Sequence, residues 1–187
     1  VEAFCKENDV LLIIDEVQTG IGRTGAFFSY QALGLSPDIV TSAKGLGGGL
    51  PIGATLFAEK CVDSLGKGDH GSTYGGNPIA VAGALAVLHE LTEEFLQDVS
   101  KKGEYLKEKL LSLPQVAEVS GRGLMLGVTL AGKAPQEVVV KGIAYGVLCL
   151  TAGNKLRLLP PLTITMEELA EGVDRLSKAL ADEGQPS

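Results

Sequence analysis

The sequence predicts an α/β fold in its first half and a small α+β fold in its second. Three observations carry this. Residues 10–14, Val-Leu-Leu-Ile-Ile, form a continuous apolar run that stops at Asp15-Glu16, as expected of a parallel strand buried on both faces. Two more short apolar segments, 39–42 and 52–58, follow across glycine-rich or polar loops. After Pro114 the pattern changes to short paired strands and short helices.

Taken in order, residues 2–7 read as a helix and 10–14 as the first strand. Residues 26–33 read as a short helix, 39–42 as a second strand, and 52–58 as a third strand entered through Pro51. Residues 78–113 form one long helical stretch, with Val81, Leu85, Leu88, Leu91 and Phe95 at helical spacing and a break expected near 95–98. Pro114 ends it. Strands at 116–120 and 124–130 flank Gly121-Arg122-Gly123. A helix at 135–145 begins on proline, the favoured first helical residue. Short strands at 147–150 and 155–159 surround Ala152-Gly153-Asn154. Thr165 stands three residues before Glu168, the spacing of a capping box, and opens a helix to about 180; residues 181–187 read as a frayed tail. The expected division is residues 1–95 and 96–187, joined by the long helix.

Bulk properties narrow the function. The chain has 187 residues, 45% of them hydrophobic and 5% aromatic, enough for a substantial core. Its net charge of −7 and pI near 4.9 argue against a nucleic-acid partner. No apolar run is long enough to span a bilayer, so no membrane role is expected. Cys5, Cys61 and Cys149 are scattered and odd in number, which suits reduced thiols in a cytoplasmic setting and neither a disulfide framework nor a metal site. The chain begins on Val1 with a helix in progress, the mark of a piece of a longer protein.

The chemistry gathers at strand ends. In open α/β sheets ligands collect at the carboxyl ends of strands. Asp15 stands at one such end, and Lys44, in Ser42–Ala54 (SAKGLGGGLPIGA), stands at the next beside Gly45, Gly47, Gly48 and Gly49. An acid and a lysine so placed form either a salt bridge or the two poles of one cofactor. Pyridoxal phosphate requires both, a lysine for a Schiff base with its aldehyde and a carboxylate at its pyridine nitrogen. The glycines lack the spacing of a P-loop or a dinucleotide fingerprint and read as close-packing residues beside the lysine.

The segments IIDEVQTGIGRTG, SAKGLGGGLPIGA, HGSTYGGNP, GRGLMLG and LTAGNKLRLLPPL occur in this order. Together they resemble the carboxyl-terminal half of a class III aminotransferase, a fold-type I pyridoxal phosphate enzyme, over almost the whole chain. The resemblance implies that residues 1–95 end the large cofactor-binding α/β domain and 96–187 form the small α+β domain. It implies the roles residue by residue. Lys44 is the Schiff-base lysine, Asp15 the partner of the pyridine nitrogen, and Gln18 the neighbour of the ring's phenolic oxygen. Thr73 binds the cofactor phosphate across a homodimer interface, Ser72 lies near substrate, and Arg157 grips the substrate α-carboxylate. Each has a structural alternative: a cap for Asp15, a loop amide for Gln18, a turn residue for Thr73, a snorkelling edge residue for Arg157. Arg23, Arg122, His70 and His89 read as structural. LTAGN followed by RLLPPL is similar to members that act on N-acetylornithine with 2-oxoglutarate. Ornithine, succinylornithine or 4-aminobutyrate are the alternative amines, and a non-catalytic fragment is the alternative from another class. The family's phosphate cup, ring-stacking aromatic residue and second substrate arginine are implied to precede this segment, so the segment alone is expected to be inactive.

Overall fold

The computed structural model describes residues 1–182. The chain divides into two compact units, Val1–Leu96 and a second beginning at Gln97. The first unit contains helix α1 (Glu2–Glu7), strands β1 (Ile13–Asp15), β2 (Ile39–Ser42) and β3 (Ala54–Phe57), and helix α2 (Pro78–Glu90). Helix α3 (Glu93–Leu111) starts within it and leads into the second. The second unit then has β4 (Val116–Arg122), β5 (Met125–Leu130), α4 (Pro135–Ala144), β6 (Leu150–Ala152), β7 (Lys155–Leu158) and α5 (Met166–Ala181).

The first sheet has the order β1-β2-β3, with β1 parallel and β3 antiparallel to β2. The expectation of a strand buried on both faces does not hold for β1 in this chain. Val10 and Leu11 precede the strand and are exposed, and Ile13 is 58% exposed. β1 and β3 are the two edges of a three-stranded sheet, and all four residues of β3 are exposed as well. The core lies above β2, where Ile21, Phe28, Val40, Leu46 and Ala84 are buried together.

The segment expected to be a helix at 26–33 is a turn that closes in a 3₁₀ turn at Gln31–Leu33. Its backbone is committed elsewhere. Glu16, fully buried, accepts from Ser29 Oγ at 2.6 Å and from the Tyr30 amide at 2.9 Å through Oε1, and from the Thr19 hydroxyl through Oε2. The Phe28 amide donates to the Gln31 side chain at 3.0 Å. Side-chain acceptors have taken amides that a helix would have paired with its own carbonyls.

The long helical stretch is two helices, and the break falls at Leu91-Thr92, ahead of the expected 95–98. Thr92 Oγ1 accepts from the Phe95 amide at 3.2 Å, so the threonine caps the new helix, with Glu93 and Glu94 in its first turn. The stripe of large apolar residues is only partly the buried face: Leu88 and Leu91 pack against the core beside Ala84. Ala80 and Ala84 are buried, while Leu85 is half exposed. Small residues point inward because the loop after β2 lies against them: a Cβ at Gly83 would meet Leu50 Cδ1 at 2.6 Å and the Gly47 carbonyl at 3.1 Å.

The second sheet is antiparallel throughout, in the order β4-β5-β7-β6. Val119, Leu126, Val128, Leu156 and Leu158 alternate onto its buried face. Val138 of α4 and Leu169, Leu176 and Leu180 of α5 are buried in the same unit. Strand β6 starts at Leu150, later than the expected 147–150, because Val147 is still tied to α4, its amide donating to the Gly142 carbonyl at 2.9 Å. The capping box is present in both directions, with Thr165 N donating to Glu168 Oε2 at 2.8 Å and Glu168 N to Thr165 Oγ1 at 3.1 Å. Ala181 is the last helical residue, and the rest of the expected tail, 183–187, lies outside the described residues. Among the described residues no helix is long and apolar enough to cross a membrane.

Glu16 is the buried acid with most to lose. Glu16→Ala is expected to destabilise the protein by about 2–3 kcal/mol, because three half-buried donors lose their acceptor. Glu16→Gln, which keeps one carbonyl oxygen, is expected to cost about half as much. Urea unfolding midpoints of the two variants check this; equal stability of Glu16→Ala and wild type would refute it.

Candidate active site

The parallel pairing of β1 with β2 sets Asp15 opposite Thr41, so both strands end at the same edge, with Lys44 three residues further on. Asp15 is held as an anion. The Val17 amide donates to its Oδ1 at 2.9 Å and the Thr41 hydroxyl to the same oxygen at 3.0 Å. These two hydrogen bonds, with the positive charge of Lys44, keep the carboxyl below its ordinary range against a small opposing desolvation. Its Oδ2 accepts no hydrogen bond from the described residues. Thr41 was not marked as a site residue by the sequence; its signal is its register, which only strand pairing reveals.

Lys44 opens a 3₁₀ turn, Lys44–Gly47, and its own backbone is left-handed, with φ +49°. For a residue with a Cβ this conformation is unfavourable by about 1–2 kcal/mol. It is enforced from below. Leu46 is buried in the core, the Leu46 amide donates to the Ala43 carbonyl at 3.1 Å, and the Gly48 amide to the Gly45 carbonyl at 3.2 Å. Gly48, with φ +59°, ends the turn where a Cβ would meet Val87 of α2 at 2.9 Å. The glycine run thus presses the turn onto α2 and leaves the Lys44 side chain exposed, without a hydrogen bond or ion pair among the described residues.

Gln18 is half-buried in the turn 17–20 that Glu16 anchors, and its amide has no hydrogen-bond partner among the described residues. Asp15, Gln18 and Lys44 are therefore at one edge of the first sheet. Ser72 and Thr73 are exposed in the loop before α2. Ser72 Oγ accepts from the Gly75 amide at 3.1 Å, and Asn77 caps α2 by accepting from the Ala80 amide at 2.9 Å. This loop and Pro51–Gly53 border an open groove of about 630 Å³ lined by Ile52, His70, Ser72, Tyr74 and Asn77. Ile52 also touches the lysine turn, since a Cβ at Gly47 would lie 2.9 Å from its Cγ2. Arg157 belongs to the second unit. It is half-buried on β7, between Gly127 of β5 and Leu150 of β6.

The chemistry of this set is specific. A stabilised anion with a free lone-pair oxygen can hold a proton on a cationic ring nitrogen. A lysine side chain left open by its neighbours can, once deprotonated, attack an electrophilic carbon. Both stand at the carboxyl ends of adjacent strands. Among the described residues no group of three or more His, Cys, Asp or Glu could hold a metal ion. The three cysteines are buried and free, and burial pushes the Cys149 thiol up to about 11.

Asp15 and Lys44 thus stand at the ends of adjacent strands of an α/β unit, and the comparisons give the family. The class-III aminotransferase family model matches residues 1–180, and the chain belongs to that family. Acetylornithine aminotransferase from Haemophilus ducreyi is 54% identical over 183 residues, 97% of this chain and 47% of that protein. The crystal structure of N-acetylornithine aminotransferase from Stenotrophomonas maltophilia superposes with a TM-score of 0.86 at 39% identity, covering 96% of this chain and 49% of that one. Ornithine aminotransferase from Toxoplasma gondii, whose structure is described as showing partial occupancy of PLP at the active site, has a TM-score of 0.84 at 35% identity, covering 95% and 44%. The chain spans about half the length of these relatives.

The left-handed lysine carries a prediction about stability. Lys44→Gly is expected to be more stable than Lys44→Ala by about 1 kcal/mol, because only glycine enters this backbone region without a Cβ penalty. Thermal unfolding of the two variants side by side checks it; an alanine variant as stable as the glycine variant would remove the strain from the account.

Proposed function

We propose that this chain is part of a pyridoxal 5′-phosphate-dependent aminotransferase that moves the amino group of N-acetylornithine to 2-oxoglutarate, a step toward arginine in the cytoplasm. The observation that carries the reading is the pair at adjacent strand ends: Asp15, kept anionic by Val17 and Thr41, and Lys44, displayed on a strained turn. The substrate is supported by the relatives, acetylornithine aminotransferases at 43–54% identity. Residues 1–95 serve as part of the large cofactor-binding domain and 96–187 as the small domain.

When bound, the cofactor supplies an electron sink for the pair left when the substrate Cα–H bond breaks. The chain's own residues do the rest. Lys44 would hold the cofactor through its aldehyde carbon and, when free, would move the proton between the substrate Cα and that cofactor carbon, on the far side of the amine nitrogen. Asp15 keeps the ring nitrogen protonated, so that the ring stays electron-poor. Gln18 donates toward the phenolic oxygen, and the Thr73 hydroxyl donates to the phosphate of a neighbouring subunit. Ser72 borders the substrate. Arg157 binds the substrate α-carboxylate, a task suited to a planar fork with two parallel donors.

Lys44→Ala in the complete enzyme is expected to lower turnover by at least about 10³-fold while the fold is kept. Asp15→Asn is expected to be nearly as damaging, since a neutral amide cannot hold the nitrogen protonated. Steady-state rates check both, and a normal rate for Asp15→Asn would reduce Asp15 to a turn cap. Rates on N-acetylornithine, ornithine, succinylornithine and 4-aminobutyrate decide the amine; a preference for one of the last three would replace the substrate and leave the chemistry.

The shared site has its own test. Inactive Lys44→Ala and inactive Thr73→Ala enzymes are mixed and allowed to exchange subunits. A mixed dimer has one site with both residues intact and one with neither, so activity is expected to return in proportion to mixed dimers. No recovery despite demonstrated exchange would show that Thr73 serves its own subunit.

A further inference from the structure

The open face of the second sheet carries its charges in rows. Residues opposite one another in an antiparallel pair point to the same side, as do residues two apart on a strand. The register sets Glu118 opposite Thr129, Ser120 opposite Gly127 and Arg122 opposite Met125. Gly127 in turn faces Arg157, which faces Leu150. Lys155 lies two residues before Arg157 on β7 and shares its side. The strand residues of this face therefore include three cations, Arg122, Lys155 and Arg157, and a single acid, Glu118.

An acid on this face is a rival for any carboxylate that Arg157 is to bind. Lys155 occupies it. The lysine crosses β5 to reach β4, where Nζ donates to Ser120 Oγ at 2.9 Å and lies 3.4 Å from Glu118 Oε2. The crossing needs Gly127. A Cβ at that position would lie 3.3 Å from both Lys155 Cδ and Ser120 Oγ, in the path of the lysine stem. Thr129 Oγ1 donates to the same Glu118 oxygen at 3.3 Å, and Ser120 Oγ donates to the Gly127 carbonyl at 3.2 Å. Glu118 is thus drawn to Lys155 and Thr129. The Arg157 guanidinium makes no hydrogen bond or ion pair among the described residues.

We propose that Lys155 is a positioning residue for substrate binding: lying across Gly127, it keeps Glu118 off Arg157 and leaves the arginine fork open to a substrate carboxylate. This rests on the reading of Arg157 as the carboxylate-binding residue. The pair itself is exposed, with side-chain exposures of 30% and 61%, so it adds little to stability. Its effect is on competition for Arg157.

The test is steady-state kinetics of the complete enzyme with Arg157→Lys, Lys155→Met, Lys155→Arg, Glu118→Gln and the Glu118→Gln/Lys155→Met pair. Lys155→Met is expected to raise KM for both the amino-acid and the 2-oxo-acid substrate about threefold, with kcat changed less than about twofold and little change in Tm. Glu118→Gln alone is expected to leave KM at or below the wild-type value. The double variant is expected to return KM to the wild-type value, and Lys155→Arg to keep it there. An unchanged KM in Lys155→Met beside a raised KM in Arg157→Lys would overturn the proposal alone. A raised KM that Glu118→Gln does not rescue would show that Lys155 acts by its own charge, which also overturns it. An unchanged KM in Arg157→Lys would remove the reading of Arg157 itself, and the role of Lys155 with it.

Discussion

The first unit is organised around a buried carboxylate. Glu16 immediately follows Asp15, yet the two carboxylates have opposite surroundings. Asp15 is exposed at the strand end, whereas Glu16 turns inward and gathers the Thr19 and Ser29 hydroxyls and the Tyr30 amide. A fully buried acid is tolerated only when its oxygens are satisfied, so the chain from 16 to 30 must close around it. That closure places Ile21 and Phe28 in the core, and Phe28 stacks on Tyr30 with centroids 5.7 Å apart. It also sets the turn carrying Val17 and Gln18. The amide that holds Asp15 in its anionic form is therefore positioned by the residue next to it.

The lysine turn obeys a second constraint, close approach. Loop and helix α2 meet through glycine and alanine, and bulk at Gly48 or Gly83 would push them apart. Leu46 supplies the hydrophobic anchor. The unfavourable backbone of Lys44 is held by these contacts, so the exposed side chain starts from a defined backbone. Strain of about 1–2 kcal/mol at one residue is within what one large apolar side chain placed in a core contributes, about 1.5–3 kcal/mol.

The second sheet separates its two faces by the same alternation that builds any strand pair. One face is aliphatic and buried. The other is polar, and its charges are sorted by which side chains can span a glycine. Lys155 is long enough to cross β5, and Gly127 leaves the space for it. Arg157, two residues on, faces the same glycine from directly opposite.

Much of this was legible in one dimension. The capping box at Thr165, the proline start of α4, the strand at Ile39–Ser42 and the strand-end positions of Asp15 and Lys44 follow from local spacing and residue type, and the family from the resemblance of five ordered segments. The break at Thr92 was written in the sequence as a threonine before two glutamates, but the apolar spacing running through it pointed elsewhere. What the sequence by itself determined is thus most of the elements, and its ordered segments point to the family that the family model matches. What only the tertiary structure decided is partnership: Thr41 beside Asp15, Ser29 and Tyr30 around Glu16, Ala84 rather than Leu85 facing inward, and Lys155 over Gly127. Periodicity and capping act within a few residues of the chain. Register, burial and the reach of a side chain across a neighbouring strand depend on segments far apart in sequence, and they exist only once those segments have met.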